Sequence, residues 1–188
     1  PEILDCLLQA EHEFREQRKT QTRIKASRLK QKASFEDFDF SAKRNLSKSQ
    51  IKDLYSLQWL RQGRPLLIIG QTGVGKTFLA KIFGWKACQA NQRVLFTTAM
   101  DMLNHLLASQ VDHSLIRKLK TYTEPALLLI DELGYLSLDQ QTSNLFYQVI
   151  STRHSQKRSS IITTNTPFSD WGNILFNTTI ATAIADRL

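Results

Sequence analysis

One stretch constrains the fold of this chain more than any other feature. Residues 70–77 read Gly-Gln-Thr-Gly-Val-Gly-Lys-Thr and match the pattern G-x-x-x-x-G-K-[ST]. The apolar run Leu-Leu-Ile-Ile at 66–69 comes before them, and a helical pattern carrying Phe78, Leu79 and Ile82 comes after. A buried strand, a glycine-rich turn and a helix in this order form a phosphate-binding loop in α/β proteins. The sequence therefore predicts an α/β fold and a site for a phosphorylated ligand.

The residue types in this loop fit a nucleoside triphosphate bound with Mg²⁺. Glycines allow several backbone amides to face one phosphate at the positive end of the following helix. In such loops the lysine, here Lys76, reaches the β- and γ-phosphates as a catalytic group, and the threonine, here Thr77, ligates the metal. The residues predicted to bind the nucleotide are Gly70, Gln71, Thr72, Gly73, Val74, Gly75, Lys76, Thr77 and Phe78.

A pair of carboxylates ends another apolar run. Asp131 and Glu132 follow residues 127–130, and ligands of open α/β sheets bind at the carboxyl ends of the strands. Asp131 is predicted to hold the Mg²⁺ of the nucleotide, and Glu132 to orient or deprotonate an attacking water. A small-molecule kinase must exclude water and has no use for such a base. The pair therefore favours an ATPase.

Asn165 is a further catalytic candidate because it directly follows the apolar run at 161–164. If this strand lies between the strands that lead to Lys76 and Asp131, the Asn165 amide reaches the γ-phosphate and the water. An asparagine that begins a turn before Pro167 explains the same pattern equally well.

Arg187 is the last catalytic candidate, on a helix that Thr178 or Thr179 can cap. It lies too late in the chain to face its own nucleotide easily, but it can face that of a neighbouring subunit as an arginine finger. Taken alone, the residue is explained better by a surface pair with Asp186 on the same helix.

Apolar runs alternate with helical patterns after residue 64. Strands are predicted at 66–69, 94–97, 127–130 and 161–164, and helices at 76–90, 99–107, 113–121 and 140–154. Strands without polar alternation are buried on both faces, which predicts a parallel sheet between helices. Another helix is predicted over 2–33, and one from a capping box at Ser47 and Gln50 to residue 63. We expect a basic helical arm, residues 1–34, followed by the ATPase domain, residues 35–188.

The net charge of +8 is concentrated near the N-terminus. Residues 15–32 contain eight basic residues and one acid, and a second basic cluster lies at 117–120. Such blocks fit the phosphates of nucleic acid, and a solvated helix face explains them equally well. The candidate DNA contacts are Arg15, Arg18, Lys19, Arg23, Lys25, Arg28, Arg117, Lys118 and Lys120.

Composition excludes several classes of protein. The longest apolar stretches have about five residues, whereas a membrane-spanning helix needs roughly 20. Cys6 and Cys88 form no CxxC pair and have no zinc-site spacing. A cytoplasmic protein without a membrane partner is expected. The chain begins without methionine and stops after a helical pattern, which predicts a piece of a longer protein.

The loop at 70–77, the acids at 131–132, Asn165 and Arg187 together resemble the Walker A, Walker B, sensor 1 and arginine-finger elements of AAA+ ATPases. Two strings are more specific. Ile-Asp-Glu-Leu-Gly-Tyr-Leu at 130–136 and Thr-Asn-Thr-Pro-Phe-Ser-Asp-Trp-Gly at 164–172 are similar to IstB, the helper ATPase of a class of bacterial insertion sequences. The resemblance covers nearly the whole chain.

The resemblance implies a parallel sheet in the order 5-1-4-3-2, with the fifth strand and a sensor 2 arginine missing after Leu188. It implies that ATP and Mg²⁺ are bound, that the protein forms a homo-oligomer on duplex DNA, and that it assists a partner transposase. A neighbouring subunit would complete hydrolysis. The helix at 113–121 would bind DNA, and the segment around Phe38 and Phe40 would lie near the adenine.

Three other functions remain as alternatives, one of which is a regulatory switch that binds ATP and DNA with negligible turnover. A DnaC-type replicative helicase loader belongs to the same clade but acts on a different partner and prefers single strands. Single-strand binders use stacked aromatic residues, and the basic regions have only Tyr122 nearby, which mildly favours duplex DNA. A P-loop small-molecule kinase is disfavoured by Glu132 and by the basic arm.

Overall fold

Four parallel strands form the central sheet of the computed structural model, which describes residues 2–40, 47–135 and 137–188. They are β1 (Leu66–Ile69), β2 (Val94–Thr98), β3 (Leu127–Leu133) and β4 (Ser159–Thr164). Their order across the sheet is β1-β4-β3-β2, and every pairing is parallel. The predicted strands and the 1-4-3-2 part of the expected order are confirmed. Since β4 lies between β1 and β3, the predicted site residues that follow these strands meet at the carboxyl edge of the sheet.

Helices connect the strands and cover the sheet. Their bounds are α1 (Glu2–Ala26), α2 (Lys48–Tyr55), α3 (Gln58–Arg61), α4 (Lys76–Gln89), α5 (Ala99–Val111), α6 (Leu115–Thr123), α7 (Gln140–Ser155), α8 (Trp171–Ile174) and α9 (Thr178–Ala185). A 3₁₀ turn covers Phe168–Asp170. The four helices predicted between the strands are confirmed, with small shifts at their ends. Within the described part of the chain, no helix has the length and apolar character needed to cross a lipid bilayer.

The sheet separates two apolar cores because the strands are apolar on both faces. Along β3, Leu127 and Leu129 belong to one core, which also contains the buried side of α4. Leu128 and Ile130 belong to the other core, which contains the buried sides of α5 and α7. Alternate residues of one strand thus hold helices on opposite faces, and this fixes the register of β3 in the sheet.

The N-terminal helix is shorter than the predicted range of 2–33. α1 ends because Arg28 has a left-handed backbone, with φ of 63°, and because the Ser27 hydroxyl accepts a hydrogen bond of 3.3 Å from the Leu29 amide. The chain then runs beside β2, where the Phe96 amide donates a hydrogen bond of 2.8 Å to the Ser27 carbonyl. Burial of Leu29 stabilises this path. The division of the chain after residue 34 stays a prediction.

The helix predicted from the capping box to residue 63 is two helices. The capping box is confirmed: the side chains of Ser47 and Gln50 each accept the other residue's backbone amide. Leu57 then adopts a left-handed φ of 60° and separates α2 from α3. The break buries Leu57 and lets the Trp59 indole donate a hydrogen bond of 2.9 Å to a carbonyl of α2.

A buried arginine joins α7 to α6 and β4. Arg153 is 1% exposed and forms no ion pair with a carboxylate of the described residues. Its guanidinium donates to the carbonyls of Tyr122 (2.9 Å) and Pro125 (2.9 Å) and to Ser160 Oγ (2.8 Å). Burial, and after it the charge of Arg158, lowers the pKa of Arg153 to about 9. The side chain is therefore charged at neutral pH.

Candidate nucleotide-binding site

The loop at 70–77 lies between β1 and α4, as predicted. Gly73 and Gly75 have φ of 81° and 88°, a left-handed backbone that favours glycine. No atom of the described residues lies within 4 Å of the position that a Cβ on Gly73 would occupy, so these residues leave the loop open on this side. Gly75 is the N-cap of α4, and Lys76 and Thr77 are the first two residues of the helix. The loop therefore lies at the positive end of a helix dipole, which favours an anion.

Two hydrogen bonds meet at Asp131: one joins the loop to β3, and the other joins β4 to β3. Thr77 Oγ1 donates a hydrogen bond of 2.9 Å to Asp131 Oδ1, across 54 residues of sequence. Thr163 Oγ1, from β4, donates to the same oxygen. Asp131 is 5% exposed, so its carboxylate is held largely out of solvent. Since a hydroxyl and a carboxylate oxygen already meet here, Thr77 and Asp131 fit a Mg²⁺ site.

Glu132 has an unusual backbone at the end of β3. Its φ is 61°, and the pairing of β3 with β4 shifts register between Ile130 and Leu133. A non-glycine residue in this region costs about 1 to 2 kcal/mol. The Glu132 amide donates a hydrogen bond of 3.0 Å to Thr163 Oγ1, which offsets part of that cost. This conformation interrupts the alternation of side chains between the two faces of the sheet. The Glu132 side chain is exposed and lines a cavity at the carboxyl edge.

A cavity of about 380 Å³ lies at this edge of the sheet. Its volume falls within the range of roughly 300 to 1,000 Å³ that is typical of small-molecule sites. Asn165, which directly follows β4, is part of the wall; its contact with a γ-phosphate or a water stays a prediction. The other residues of the loop, α4 and the strand ends that line it are Thr72, Gly73, Gly75, Lys76, Thr77, Phe78, Lys81, Glu132, Thr163 and Thr164.

Some residues of the predicted nucleotide-binding set do not line the cavity: Gly70, Gln71, Val74 and Asp131. The Gly70 amide donates a hydrogen bond of 3.2 Å to the Thr164 carbonyl and so joins the loop to β4. The Gln71 carbonyl accepts a hydrogen bond of 2.8 Å from Lys76 Nζ. These contacts hold the loop in shape, and direct contact of the four residues with a nucleotide stays a prediction.

Thr163 was not found from the sequence, although it contacts both acidic residues. Its hydroxyl donates to Asp131 and accepts the Glu132 amide, and the side chain is 2% exposed. The local signal is a hydroxyl two positions before Asn165, but Thr164 carries the same group, so the sequence does not single out Thr163.

The N-terminal side of the cavity is formed by residues 31–33 and not by the aromatic pair expected there. Gln31, Lys32 and Ala33 line the cavity, whereas Phe38 and Phe40 do not. The Phe38 ring is 5% exposed and stacks against Phe78, with ring centroids 6.4 Å apart. Phe38 therefore packs against Phe78, which itself lines the cavity.

Arg187 does not line the cavity of its own chain. It follows α9, and the cap of that helix is Asn177 instead of Thr178 or Thr179, because the Asn177 side chain accepts a hydrogen bond from a first-turn amide. The Arg187 guanidinium lies 5.1 Å from the centroid of the Tyr147 ring on α7. Contact between Arg187 and the nucleotide of a neighbouring subunit stays a prediction.

The structure brings together part of the two basic regions. Arg23 and Arg28, at the end of α1, line a cleft of about 470 Å³ with Arg117 and Lys120 of α6. We call it the α1–α6 cleft. Candidate DNA contacts that do not line it are Arg15, Arg18, Lys19, Lys25 and Lys118.

Some of the remaining charges near α1 and α6 have partners. Arg15 pairs with Glu11 (2.6 Å) and Lys19 with Glu16 (2.7 Å), both on the exposed surface of α1. His105 Nδ1 lies 2.8 Å from the Tyr122 hydroxyl. Burial, and then the charge of Lys118, lowers the pKa of His105, so this imidazole adds no positive charge at neutral pH.

Comparison with known sequences identifies the family. The family described as "IstB-like ATP binding protein" matches residues 1–188. The chain belongs to this family. A relative from Geobacillus stearothermophilus, named for insertion sequence IS5376 and for ATP binding, is 35% identical over 187 residues, which are 100% of this chain and 74% of that protein. The IS21 relative from Pseudomonas aeruginosa, also named for ATP binding, is 34% identical over 187 residues, 100% of this chain and 70% of that protein. The resemblance to IstB stated from the sequence strings is confirmed, although Leu136, in the first string, lies outside the described residues.

Solved structures show the fold of this IstB-like chain. The DnaC helicase loader aligns with a TM-score of 0.63 at 23% identity, covering 78% of this chain and 91% of that chain. AMPPCP-bound DnaA from Aquifex aeolicus aligns with a TM-score of 0.71 at 20% identity, covering 85% of this chain and 49% of that chain. This chain thus spans about half the length of DnaA. The fold is that of the AAA+ domains of DnaA and DnaC.

Proposed function

We propose that this IstB-like protein is an ATPase that binds ATP with Mg²⁺, assembles on duplex DNA and assists a partner transposase. The observation that carries the ATP site is the hydrogen bond of 2.9 Å between Thr77 and Asp131. It brings the phosphate-binding loop and the acidic strand end together under one cavity. The family and the relatives named for ATP binding support the same ligand.

Each side chain of the site has a proposed task. The loop amides and Lys76 bind the β- and γ-phosphates, and Thr77 and Asp131 hold Mg²⁺, which neutralises phosphate charge when bound. Glu132 accepts a proton from water, and Asn165 positions that water or the γ-phosphate. Lys76 Nζ now donates to the Gln71 carbonyl, so it exchanges this partner for a phosphate when the nucleotide binds.

The remaining parts of the proposal concern DNA, assembly and the partner. The α1–α6 cleft supplies arginine and lysine side chains, which bind phosphates without reading sequence. The position of Arg187 outside its own cavity supports assembly, since a neighbour can then use this residue. The relatives that are named for insertion sequences support a role in transposition.

Sedimentation of the intact protein on a long duplex tests this function. We expect a large complex only when ATP, Mg²⁺ and duplex DNA are all present. Lys76→Ala removes the charge that binds the β- and γ-phosphates, so this variant is expected to bind ATP poorly and to lose the nucleotide-dependent complex. Single-stranded DNA of equal length is tested in parallel as the control for the duplex.

Three other outcomes lead to different conclusions. A complex that forms on the single strand and not on the duplex favours a helicase loader. A monomer indifferent to both DNAs contradicts the proposal. Wild-type ATP affinity in Lys76→Ala contradicts the assignment of the loop.

A further inference from the structure

The amino edge of the sheet carries a second basic cleft, opposite the nucleotide cavity. Its volume is about 740 Å³. Its cations come from segments that precede the strands or lie beside them: Arg61, Lys86, Arg93, Lys157 and Arg158. None of these cations belongs to the basic stretches at 15–32 and 117–120. Arg93 also lines the α1–α6 cleft.

The two clefts are adjacent because Arg93 and Glu124 line both. We call the combined surface the basal groove; it runs from α6 to the turn between α7 and β4. Nine cations and one carboxylate, Glu124, are found among the described residues that line it.

The positive charge of the basal groove is mostly unneutralised. Its one ion pair within the described ranges joins Arg93 to Glu124 at 3.8 Å, with side chains 70% and 46% exposed. An exposed pair of this kind is worth about 0 to 1 kcal/mol, so it leaves Arg93 available. Arg23 also lines the groove, and no carboxylate of the described residues forms an ion pair with it.

Packed backbone fixes the positions of the charges. A Cβ on Gly63, whose φ is 68°, would lie 2.4 Å from the Lys157 carbonyl, so the loop after α3 abuts the turn before β4. Arg158 Nη1 donates a hydrogen bond of 2.7 Å to the Thr123 carbonyl at the end of α6. Arg61 and Lys157 thus lie on neighbouring segments that are in direct contact.

We propose that the basal groove binds the sugar-phosphate backbone of duplex DNA. This inference rests on the DNA binding proposed above and extends it to Arg61, Lys86, Arg93, Lys157 and Arg158. Exposed lysine and arginine side chains with almost no acid fit a polyanion. Among the described residues, no aromatic side chain lines the groove, so these residues offer neither the stacking surface of a single-strand site nor the aromatic anchors of a protein interface.

The location of the groove separates DNA from ATP. The nucleotide cavity lies at the carboxyl ends of the strands and the groove at their amino ends. A strand of six or seven residues spans roughly 20 Å, so the two ligands do not compete for one space. We expect saturating ATP to leave the contacts in the groove intact.

The test uses Arg61→Gln/Lys157→Gln in the intact protein, with a duplex of mixed sequence and a series of salt concentrations. Each neutralised phosphate contributes about one unit to the slope of log affinity against log salt. We therefore expect the slope to fall by about two and the affinity at physiological salt to fall about tenfold. ATP affinity and the thermal unfolding midpoint are expected to match wild type.

Two control variants make the result specific. Lys48→Gln/Lys52→Gln removes two exposed lysines of α2 that do not line the groove, and it is expected to keep the wild-type slope. Arg61→Lys/Lys157→Arg keeps both charges and is expected to bind like wild type. If Arg61→Gln/Lys157→Gln is unstable, Arg93→Gln replaces it, with an expected fall in slope of about one.

The outcomes separate this inference from the proposed function. If the wild type binds duplex DNA and a stable groove variant keeps the wild-type slope of log affinity against log salt, the basal groove does not bind DNA. Its ligand would then be of another kind, such as an acidic protein, and the proposed function would stand. Failure of the wild type to bind duplex at all overturns the proposed function together with the groove.

Discussion

The carboxyl and amino edges of the sheet both present groups suited to phosphate, but they are built differently. At the carboxyl edge, Asp131, Thr77 and Thr163 hold each other through defined hydrogen bonds. At the amino edge, cations from many segments line the basal groove, and most have no ionic partner among the described residues.

Because the two edges are built differently, they should respond differently to mutation. Chemistry at a bound phosphate depends on geometry, so one misplaced group at the carboxyl edge costs orders of magnitude in rate. Binding to a polyanion depends on the sum of many similar charges, so one lost cation at the amino edge costs little. Variants at the carboxyl edge should therefore change kcat, and variants at the amino edge should change the salt dependence of duplex affinity.

The largest effect is expected for Arg187→Ala. This variant tests whether the catalytic site at the carboxyl edge needs a residue from a neighbouring subunit. Arg187→Ala is expected to reduce kcat for ATP by about 10³- to 10⁵-fold if the arginine stabilises charge on a neighbour's nucleotide. Mixing this variant with excess Lys76→Ala subunits, which keep Arg187, should restore part of the turnover. No recovery at any mixing ratio contradicts action between subunits.

Glu132→Gln tests the base at the same edge. The substitution keeps the shape of the side chain and removes its proton acceptor, so kcat should fall about 10²- to 10⁴-fold. ATP affinity should remain, because Lys76 and Thr77 are unchanged, and the salt slope for duplex should match wild type. Wild-type turnover excludes Glu132 as the base.

Thr163→Val tests the positioning of both acidic residues. It removes the hydroxyl that donates to Asp131 and accepts the Glu132 amide, and loss of such an orienting group costs about 10- to 100-fold in activity. We expect kcat to fall by at least about tenfold, with recovery in Thr163→Ser.

Thr97→Val is the matched control for Thr163→Val. Thr97 is 4% exposed on β2, and its hydroxyl donates to a backbone carbonyl of the same strand. This variant should lose stability without a comparable loss of kcat. Equal kcat in the Thr163→Val variant and the wild type assigns Thr163 to packing alone.

Arg117→Gln carries the smallest expected effect and tests the amino edge. The slope of log affinity against log salt should fall by about one unit, with unchanged ATP turnover in the absence of DNA. Lys118→Gln, next to it on α6, removes a charge that does not line the cleft, so its slope should match wild type. Equal effects of both variants indicate that general charge, and not the cleft, sets the affinity.

The two edges also differ in how well the sequence predicts them. The loop at 70–77 and the acids at 131–132 are contiguous, so their chemistry and their place after apolar strands are visible in the sequence. Thr163 was missed because its role depends on the register of β4 against β3, which sequence spacing does not determine.

The basal groove was missed for a related reason. Arg61, Lys86, Arg93 and Lys157 come from separate segments of the sequence and meet only because they flank the amino ends of neighbouring strands. The early end of α1 and the break at Leu57 likewise depend on burial of apolar side chains after the turn, which overrides the local helical pattern.

The buried Arg153 affects how the positive potential at the amino edge of the sheet depends on ionic strength. Its guanidinium is 1% exposed and donates to the carbonyl of Pro125, a residue that lines the α1–α6 cleft. Dissolved ions screen exposed charges over about 8 Å at physiological ionic strength, and they screen buried charges far less. Rising ionic strength will weaken the field of Arg117 or Lys157 before it weakens that of Arg153. The molecule thus keeps an interior source of positive potential that the buffer does not readily remove.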